Sequence, residues 1–448
     1  MTDDLTMKPD PSPSPERGLP LSRRRALAIG GAAGATLAAP SFFGWTLAAQ
    51  TAPIKLGGIG SLTGVVSVWG EALRRGAELA VEEINEGGGI LGREVVLVLE
   101  DDESKVDVGP RKARKLALED QVDMMFGINH SGVLLAVTEL LPSLEKVLIG
   151  TCATSTEATT QRFNRYLFRV HTNADQEGAS GALYAANFPY RRWSVIAPNY
   201  AYGFETWGAF ISNLKRLNPD IEIMEVQAWP AFASPDYSSH ITRLLAARPD
   251  AVLSAMWGGD AVNLIRQLQR FRFMDQIAFF TPAALAIDVF YALGEDLPEN
   301  LHTNAHAYWF EAAEHGREEP NQSFVERFVA LHGVFPHSTA HGTYAALMTY
   351  KKAVEMAGST DTEDVIAALE GVEVAMPAFN GFIREEDHQI VQDVAWGRTE
   401  AADDLPFQRR VTDFQWTSGE EATPSVDEIL ARRAAGGQAD YYQYVIGG

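Results

Sequence analysis

Apolar residues recur along this chain with two alternating periods. Ile54 to Ile59, Glu94 to Leu99, Val122 to Phe126 and Val147 to Ile149 are short, mostly apolar runs, each broken by a turn of Gly, Ser, Thr, Asn or Asp. Between them apolar positions fall three and four apart. Trp69, Leu73, Gly76, Ala77, Ala80 and Ile84 precede Gly87-Gly88-Gly89, and Val133, Leu134, Val137, Leu140, Leu141 and Leu144 follow Ser131-Gly132. The first period is that of a strand buried on both faces, the second that of an amphipathic helix with one apolar stripe. With a helix through Leu116, the pattern makes four βα units, which predict a parallel sheet covered by helices on both faces.

From Arg169 the texture changes to His171-Thr172-Asn173-Ala174-Asp175, and we read a crossing into a second lobe. The same rhythm resumes there. Strands are predicted at Trp193 to Ala197, Ile221 to Val226, Ala251 to Met256 and Ile277 to Phe280, with helices after Gly203, from Tyr237 to Ala247 and from Asp260 to Phe271. Further helices are predicted from Gln322 to His332 and from Thr339 to Met356; beyond Gly371 the pattern is mixed and short-stranded. The chain is thus an α/β protein of two doubly wound sheets, whose likeness to each other is architectural and not a sequence repeat.

In such sheets the polar tips emerge at the carboxyl ends of the strands, where helix amides and hydroxyls converge on small polar or anionic ligands. Two neighbouring tips, Asn129-His130-Ser131-Gly132 and Gly150-Thr151-Cys152-Ala153-Thr154, therefore read as a ligand cradle. Ser131 at a helix start can serve as an ordinary cap or donate to a ligand oxygen. Thr154 faces the same choice, since turn hydroxyls commonly bond their own backbone. Trp69 and Trp257 fall near strand ends on opposite lobes, where they could sandwich an apolar or aromatic solute or simply pack the lobes. Tyr202 offers both a ring and a hydroxyl. Tyr308 and Trp309 fall near the expected return crossing and read as hinge or cleft-wall residues.

The 448 residues hold 59 acids against 37 lysines and arginines, a net charge of -22. A surface of that sign repels phosphate backbones and anionic lipid, which excludes nucleic acid as a natural partner. A single cysteine, Cys152, excludes an intrachain disulfide and any cysteine-based zinc site. His130 beside the cradle with Cys152 on the next turn invites an enzyme reading, cysteine as nucleophile and histidine as base. No third orienting group follows from the sequence, and a lone cysteine is most often a packing residue, so no catalytic role is assigned. The acidic pair Asp101-Asp102 lacks partners at ligand spacing and reads as a strand-end cap; neither a metal nor a cofactor is called for.

At the amino terminus a Pro/Ser/Asp-rich stretch leads into Ser22-Arg23-Arg24-Arg25, a Gly/Ala-rich apolar run to about Trp45, and small residues at Ala48 and Ala49. Paired arginines before a weakly hydrophobic run resemble a twin-arginine export signal, which gives a cleaved leader at residues 1–49 and a periplasmic mature chain without stable membrane insertion.

Ile54-Lys55-Leu56-Gly57, Gly60-Ser61-Leu62-Thr63-Gly64, Glu83-Ile84-Asn85 and Gly88-Gly89-Ile90-Leu91-Gly92 together resemble the opening of periplasmic solute-binding proteins of the leucine/isoleucine/valine type. Asp101-Asp102, Ser131, Ala153-Thr154, Phe168-Arg169, Tyr202-Gly203 and Asp250-Ala251-Val252 extend the resemblance to about residue 400. It implies the type I arrangement, two Rossmann-like parallel-sheet lobes joined by a hinge of three crossings, with residues 50–170 and 306–376 in one lobe and 171–305 and 377–448 in the other. It also implies a small solute held between the lobes for delivery to the membrane permease subunits of an ABC importer. The alternative is a sensor module that presents the same closed shape to a membrane receptor. By the same resemblance Ser131 takes a ligand carboxylate, Cys152 and Thr154 meet the ligand's amino group, and Tyr202 and Trp257 close over it. Amino-acid binders carry a glutamate for the ammonium just after the proline of a later turn. This chain has Pro282-Ala283-Ala284 there, so an apolar or aromatic carboxylate, or an amide, is expected over leucine.

Overall fold

Five short strands build the first sheet: β1 (Ile54–Gly60), β2 (Val95–Asp101), β3 (Met124–Gly127), β4 (Leu148–Gly150) and β5 (Leu167–Arg169). They are all parallel, in the order β2-β1-β3-β4-β5. Burial of both faces accounts for the unbroken apolar texture of β1 and β3, which helices cover on either side. The second sheet contains β6 (Arg192–Ile196), β7 (Glu222–Ile223), β8 (Ala251–Ser254), β9 (Ala278–Thr281) and β10 (His302–Asn304). A small separate pair, β11 (Gly381–Ile383) and β12 (Ile390–Gln392), lies between them and the last two strands, β13 (Val394–Ala401) and β14 (Arg409–Thr417). The seven-stranded order is β14-β13-β10-β9-β8-β6-β7, parallel from β7 to β10 and antiparallel beyond. The structure is a computed structural model that describes residues 52–282, 286–304, 317–374, 376–437 and 440–448, all inside one unit that starts at Ala48. The leader read at 1–49, Ala283, Tyr308 and Trp309 lie outside the described residues.

The two sheets share one topology. Their first five strands, taken in chain order, both stand 2-1-3-4-5, so each sheet reverses direction between its first and third strands. That reversal leaves a crevice at the carboxyl edge, the usual ligand position in open α/β sheets. The carboxyl-terminal hairpin β13 and β14, which the short-stranded pattern beyond Gly371 did not suggest, extends the second sheet on its far side.

Helix Ser67–Glu86 buries Trp69, Leu73, Gly76, Ala77, Ala80 and Ile84, the spacing its sequence carries. It lies directly against helix Ser338–Ala357: a Cβ on Gly76 would come within 2.3 Å of the Ala340 carbonyl oxygen, so only glycine permits that approach. The stripe from Val133 to Leu144 is two helices, Ser131–Thr138 and Leu141–Leu144. Pro142 has no N–H for the Thr138 carbonyl, which instead accepts from Asn164 Nδ2 at 3.0 Å. The strand expected from Ile221 shrinks to Glu222–Ile223 because β7 is an edge strand paired only with β6.

Where the chain passes between the sheets, the crossings are laced together. Arg169 N–H donates to the His388 carbonyl at 2.9 Å, Gln389 Nε2 to the His171 carbonyl at 2.7 Å, and Gln176 Nε2 to the Ile390 carbonyl at 2.8 Å. Helix Ala174–Ala185 starts at this seam under a capping box of Asn173 and Gln176.

Candidate functional site

Three turns of the first sheet converge, and their own hydrogen bonds fix which atoms remain free. Gly127 ends β3 at φ +114°, and a Cβ there would lie 2.3 Å from the Ile59 carbonyl oxygen, so the chain can turn sharply beside β1. Asn129 Oδ1 then accepts from Ser61 N–H at 3.1 Å. That bond assigns the amide's orientation and turns Nδ2, a buried donor without a protein partner, the other way. Asp102 accepts from the Ser61 hydroxyl at 2.8 Å, and Asp101 takes Leu62 N–H at 3.0 Å and the Thr63 hydroxyl at 2.6 Å. The acidic pair is therefore the brace of the β1 turn.

Helix Ser131–Thr138 is capped by His130, whose Nδ1 accepts from Gly132 N–H at 3.1 Å. Ser131 is thus the first helical residue, and the ordinary capping role open to it from sequence is already taken. On the next turn Ala153 N–H donates to the Ile128 carbonyl at 3.1 Å, which holds Cys152 and Thr154 beside Asn129. The Thr154 hydroxyl is buried and has no hydrogen-bond partner. Cys152 Sγ accepts from the Thr339 hydroxyl at 3.6 Å, and burial pushes its thiol up to about 11. His130, lowered to about 4 by burial, is neutral, and its Nδ1 is occupied by the cap. With Nδ1 taken by the cap and the ring hydrogen on Nε2, His130 has no free nitrogen to draw the proton from the Cys152 thiol.

The second sheet answers with aromatic rings. Tyr200 immediately precedes helix Ala201–Leu217 and accepts at its hydroxyl from Trp257 Nε1 at 2.8 Å. Its ring stacks on His130 of the other sheet, centroids 4.4 Å apart and planes 14° from parallel. Tyr202 lies buried in the first turn of the same helix. Trp257 precedes helix Gly258–Arg270 and meets Trp69 edge to face at 4.8 Å. The two tryptophans touch each other, so they are a joint between the lobes and not the two plates of a sandwich. Trp69 sits in the first helical turn, where its Nε1 donates to Asp288 Oδ2 at 3.1 Å and its ring meets His337 at 4.5 Å.

These groups enclose one cavity between the carboxyl edges of the sheets. Trp69, Asn129, Ser131, Cys152 and Thr154 line it with Tyr202 and Trp257, so seven of the expected site residues face the same space. Ala283, the eighth, lies outside the described residues. Of the remaining lining residues, Ala153 stood inside the cradle read from sequence, and His171, Tyr200 and Ser338 were not singled out. Tyr200 falls two residues before Tyr202 in a turn already marked as a strand end, and Ser338 immediately precedes a predicted helix, so both carried a positional signal. His171 lay in the crossing and carried none.

The cavity admits the centre of a water-sized sphere over about 30 Å³. That is room for a few waters, so a larger guest needs the walls to part. Among the described lining residues there is neither a carboxylate nor a cation: His171 is lowered to about 4 by burial, and the rest are neutral. Among the described residues no cluster of His, Cys, Asp and Glu could hold a metal ion, and no helix is long and apolar enough to cross a membrane.

A family model described as periplasmic binding protein matches residues 53–404. The chain is 28% identical over 317 residues to the Leu/Ile/Val-binding protein BraC3 of Rhizobium johnstonii, covering 70% of this chain and 83% of that protein. Among solved structures, an ABC transporter substrate-binding protein from Sphaerobacter thermophilus superposes with a TM-score of 0.70 at 28% identity, over 81% of this chain and 98% of that one. A solute-binding protein of an ABC transporter from Rhodopseudomonas palustris, in complex with 3,4-dihydroxybenzoic acid, shares the fold with a TM-score of 0.73 at 21% identity, over 83% and 98% of the two chains.

Proposed function

The chain belongs to the periplasmic binding protein family, and from that premise we propose that it captures a small apolar or aromatic carboxylate, or an amide, between two closing lobes for an ABC importer. The observation that carries this reading is the chemistry of the cavity wall. On one side stand an orphaned amide donor on Asn129, an orphaned hydroxyl on Thr154 and the helix start at Ser131; on the other stand Tyr200, Tyr202 and Trp257. Donors of this kind suit a carboxylate or amide oxygen, and rings suit an apolar body. An ammonium would find no carboxylate among the described lining residues, and leaving it uncompensated costs several kcal/mol, comparable to the affinity of a micromolar solute. The Rhodopseudomonas palustris protein with its bound dihydroxybenzoic acid supports an aromatic acid on the same fold.

In this reading Ser131 and Asn129 hold the acid, Thr154 and Cys152 flank it, Trp69 and Tyr202 shape the body of the slot, and Trp257 covers it. Lobe one takes residues 50–170 and 306–376, lobe two 171–305 and 377–448. Contacts such as His130 on Tyr200 and Ser155 Oγ to Glu205 at 2.8 Å cross between the sheets and belong to the shut arrangement. Solute binding favours that arrangement through its differential affinity, and permease subunits meet the shut shape. A leader at residues 1–49 sends the chain out by the twin-arginine route.

A thermal-shift and calorimetric screen of benzoates, short amides and branched-chain amino acids tests the assignment. One-site binding of an aromatic acid or amide, with compaction in small-angle scattering, is expected. Leucine bound as tightly as every aromatic acid would end it.

A further inference from the structure

A second cavity lies behind Trp69, and nothing in the proposed capture of a solute uses it. It admits the centre of a water-sized sphere over about 360 Å³, against about 30 Å³ in the cavity between the strand ends. Its walls come from both halves of the molecule: Val68 and Ala72 on helix Ser67–Glu86, which follows β1, and Ile287, Tyr291 and Ala292 on and beside helix Ile287–Leu293, which follows β9. Phe328, Val334 and Phe335 close the third side. The lining is almost wholly apolar, and its rim charges are spoken for, since Arg75 Nε pairs with Glu71 at 2.8 Å.

Two polar groups interrupt that lining, and both hold an unused atom. The side chains of His337 and Asp288 are 4% and 9% exposed, with His337 Nε2 and Asp288 Oδ1 3.5 Å apart. Neither atom makes a hydrogen bond. Their other ends are fixed: His337 Nδ1 accepts from Thr339 N–H at 3.0 Å, and Asp288 Oδ2 accepts from Trp69 Nε1 at 3.1 Å. A ring nitrogen that accepts leaves the hydrogen of the neutral imidazole on Nε2, so the cavity presents one donor beside one acceptor. Buried atoms of this kind are costly to leave unpaired, which makes the pair an anchor waiting for a group that both accepts and donates. A hydroxyl does both at once. An amine offers no acceptor once protonated, and a carboxylate would face Asp288 with like charge.

The geometry points to a second small-molecule site here, separate from the solute cavity, for a mostly apolar alcohol or phenol whose hydroxyl lies between His337 and Asp288. Its occupant touches elements of both sheets. This assignment does not depend on which solute the first cavity takes.

The probe pair is 4-ethylphenol and ethylbenzene, alike in shape and different only in the hydroxyl. Isothermal titration of the full chain is expected to show one site for 4-ethylphenol, with ethylbenzene at least tenfold weaker. Ala292→Trp fills the cavity from an exposed position and Val334→Trp fills it from another wall; each is expected to abolish phenol binding while the melting curve shows a folded protein. Ser131→Ala, which alters the solute cavity and leaves Trp69, His337 and Asp288 in place, should leave the phenol affinity within about twofold, the scatter typical of independent sites. Equal affinity for the two probes overturns the anchor. Phenol binding that survives both tryptophan variants, that is lost in Ser131→Ala, or that is absent at millimolar phenol overturns the site. None of these results bears on aromatic-acid capture, whose own test reads binding of acids and amides.

Discussion

The two sheets reach the cavity by the same route and bring different chemistry to it. Each orders its first five strands 2-1-3-4-5 and points the turns after its first and third strands into the crevice. From β3 and β4 of the first sheet come small groups, Asn129, Ser131, Cys152 and Thr154, on turns pinned by hydrogen bonds near 3 Å. From β6 and β8 of the second come Tyr200, Tyr202 and Trp257, large rings held mainly by packing. Two sheets of one topology therefore divide the labour. The first sheet offers directional bonds from a rigid frame, and the second offers contact area that removes water.

If that division holds, four substitutions should separate its parts, in falling order of effect on affinity. Trp257→Ala removes the largest ring of the aromatic side; buried aromatic anchors typically contribute at least about 2 kcal/mol, so the dissociation constant should rise about thirtyfold by calorimetry, with little change in which solutes bind. Ser131→Ala removes a bond to the acid, about 1.5 kcal/mol, and a loss of about tenfold should fall on carboxylates and spare amides. Thr154→Val keeps the shape and deletes an orphaned hydroxyl. It should raise the melting temperature of the unliganded protein while weakening binding about fivefold, opposite signs that a merely structural threonine cannot give.

The fourth substitution probes the seam between the sheets and should leave affinity alone. Burial pushes the Glu177 carboxyl from 4.5 up to about 8, while the Thr172 hydroxyl donates to its Oε1 at 3.1 Å. Between those two values the folded chain keeps a proton that the unfolded chain has given up, so stability falls as pH rises through that window. Glu177→Gln mimics the protonated form and should flatten thermal stability against pH there by up to about 1.4 kcal/mol per unit, the slope of one proton. A melting profile unchanged by the substitution would mean that Glu177 does not hold that proton.

Periodicity made most of the frame legible, and it failed where local chemistry competed with it. The stripe from Val133 to Leu144 looked like one helix because hydrophobic spacing does not register a missing N–H; Pro142 breaks it. The hairpin β13 and β14 passed unread because its burial alternates unevenly, with exposed and half-buried positions scattered along Arg409–Thr417. For the site, strand-end position was the strong signal, and it found residues on both walls. What it could not supply was who touches whom. Trp69 and Trp257 both line the cavity, yet their edge-to-face contact and the tie from Trp69 to Asp288 depend on packing between elements 188 and 219 residues apart in sequence. His171 entered the wall because its crossing is pinned by Gln389, a partner 218 positions away.

Cys152 has one more consequence. It is the chain's sole thiol, only 5% exposed, and it faces the slot between the two walls. A maleimide dye can reach the sulfur only while the walls stand apart, so the labelling rate is a built-in clock for that motion and needs no engineered handle. Saturating solute should slow the clock, and each variant that loosens the grip should let it run faster again.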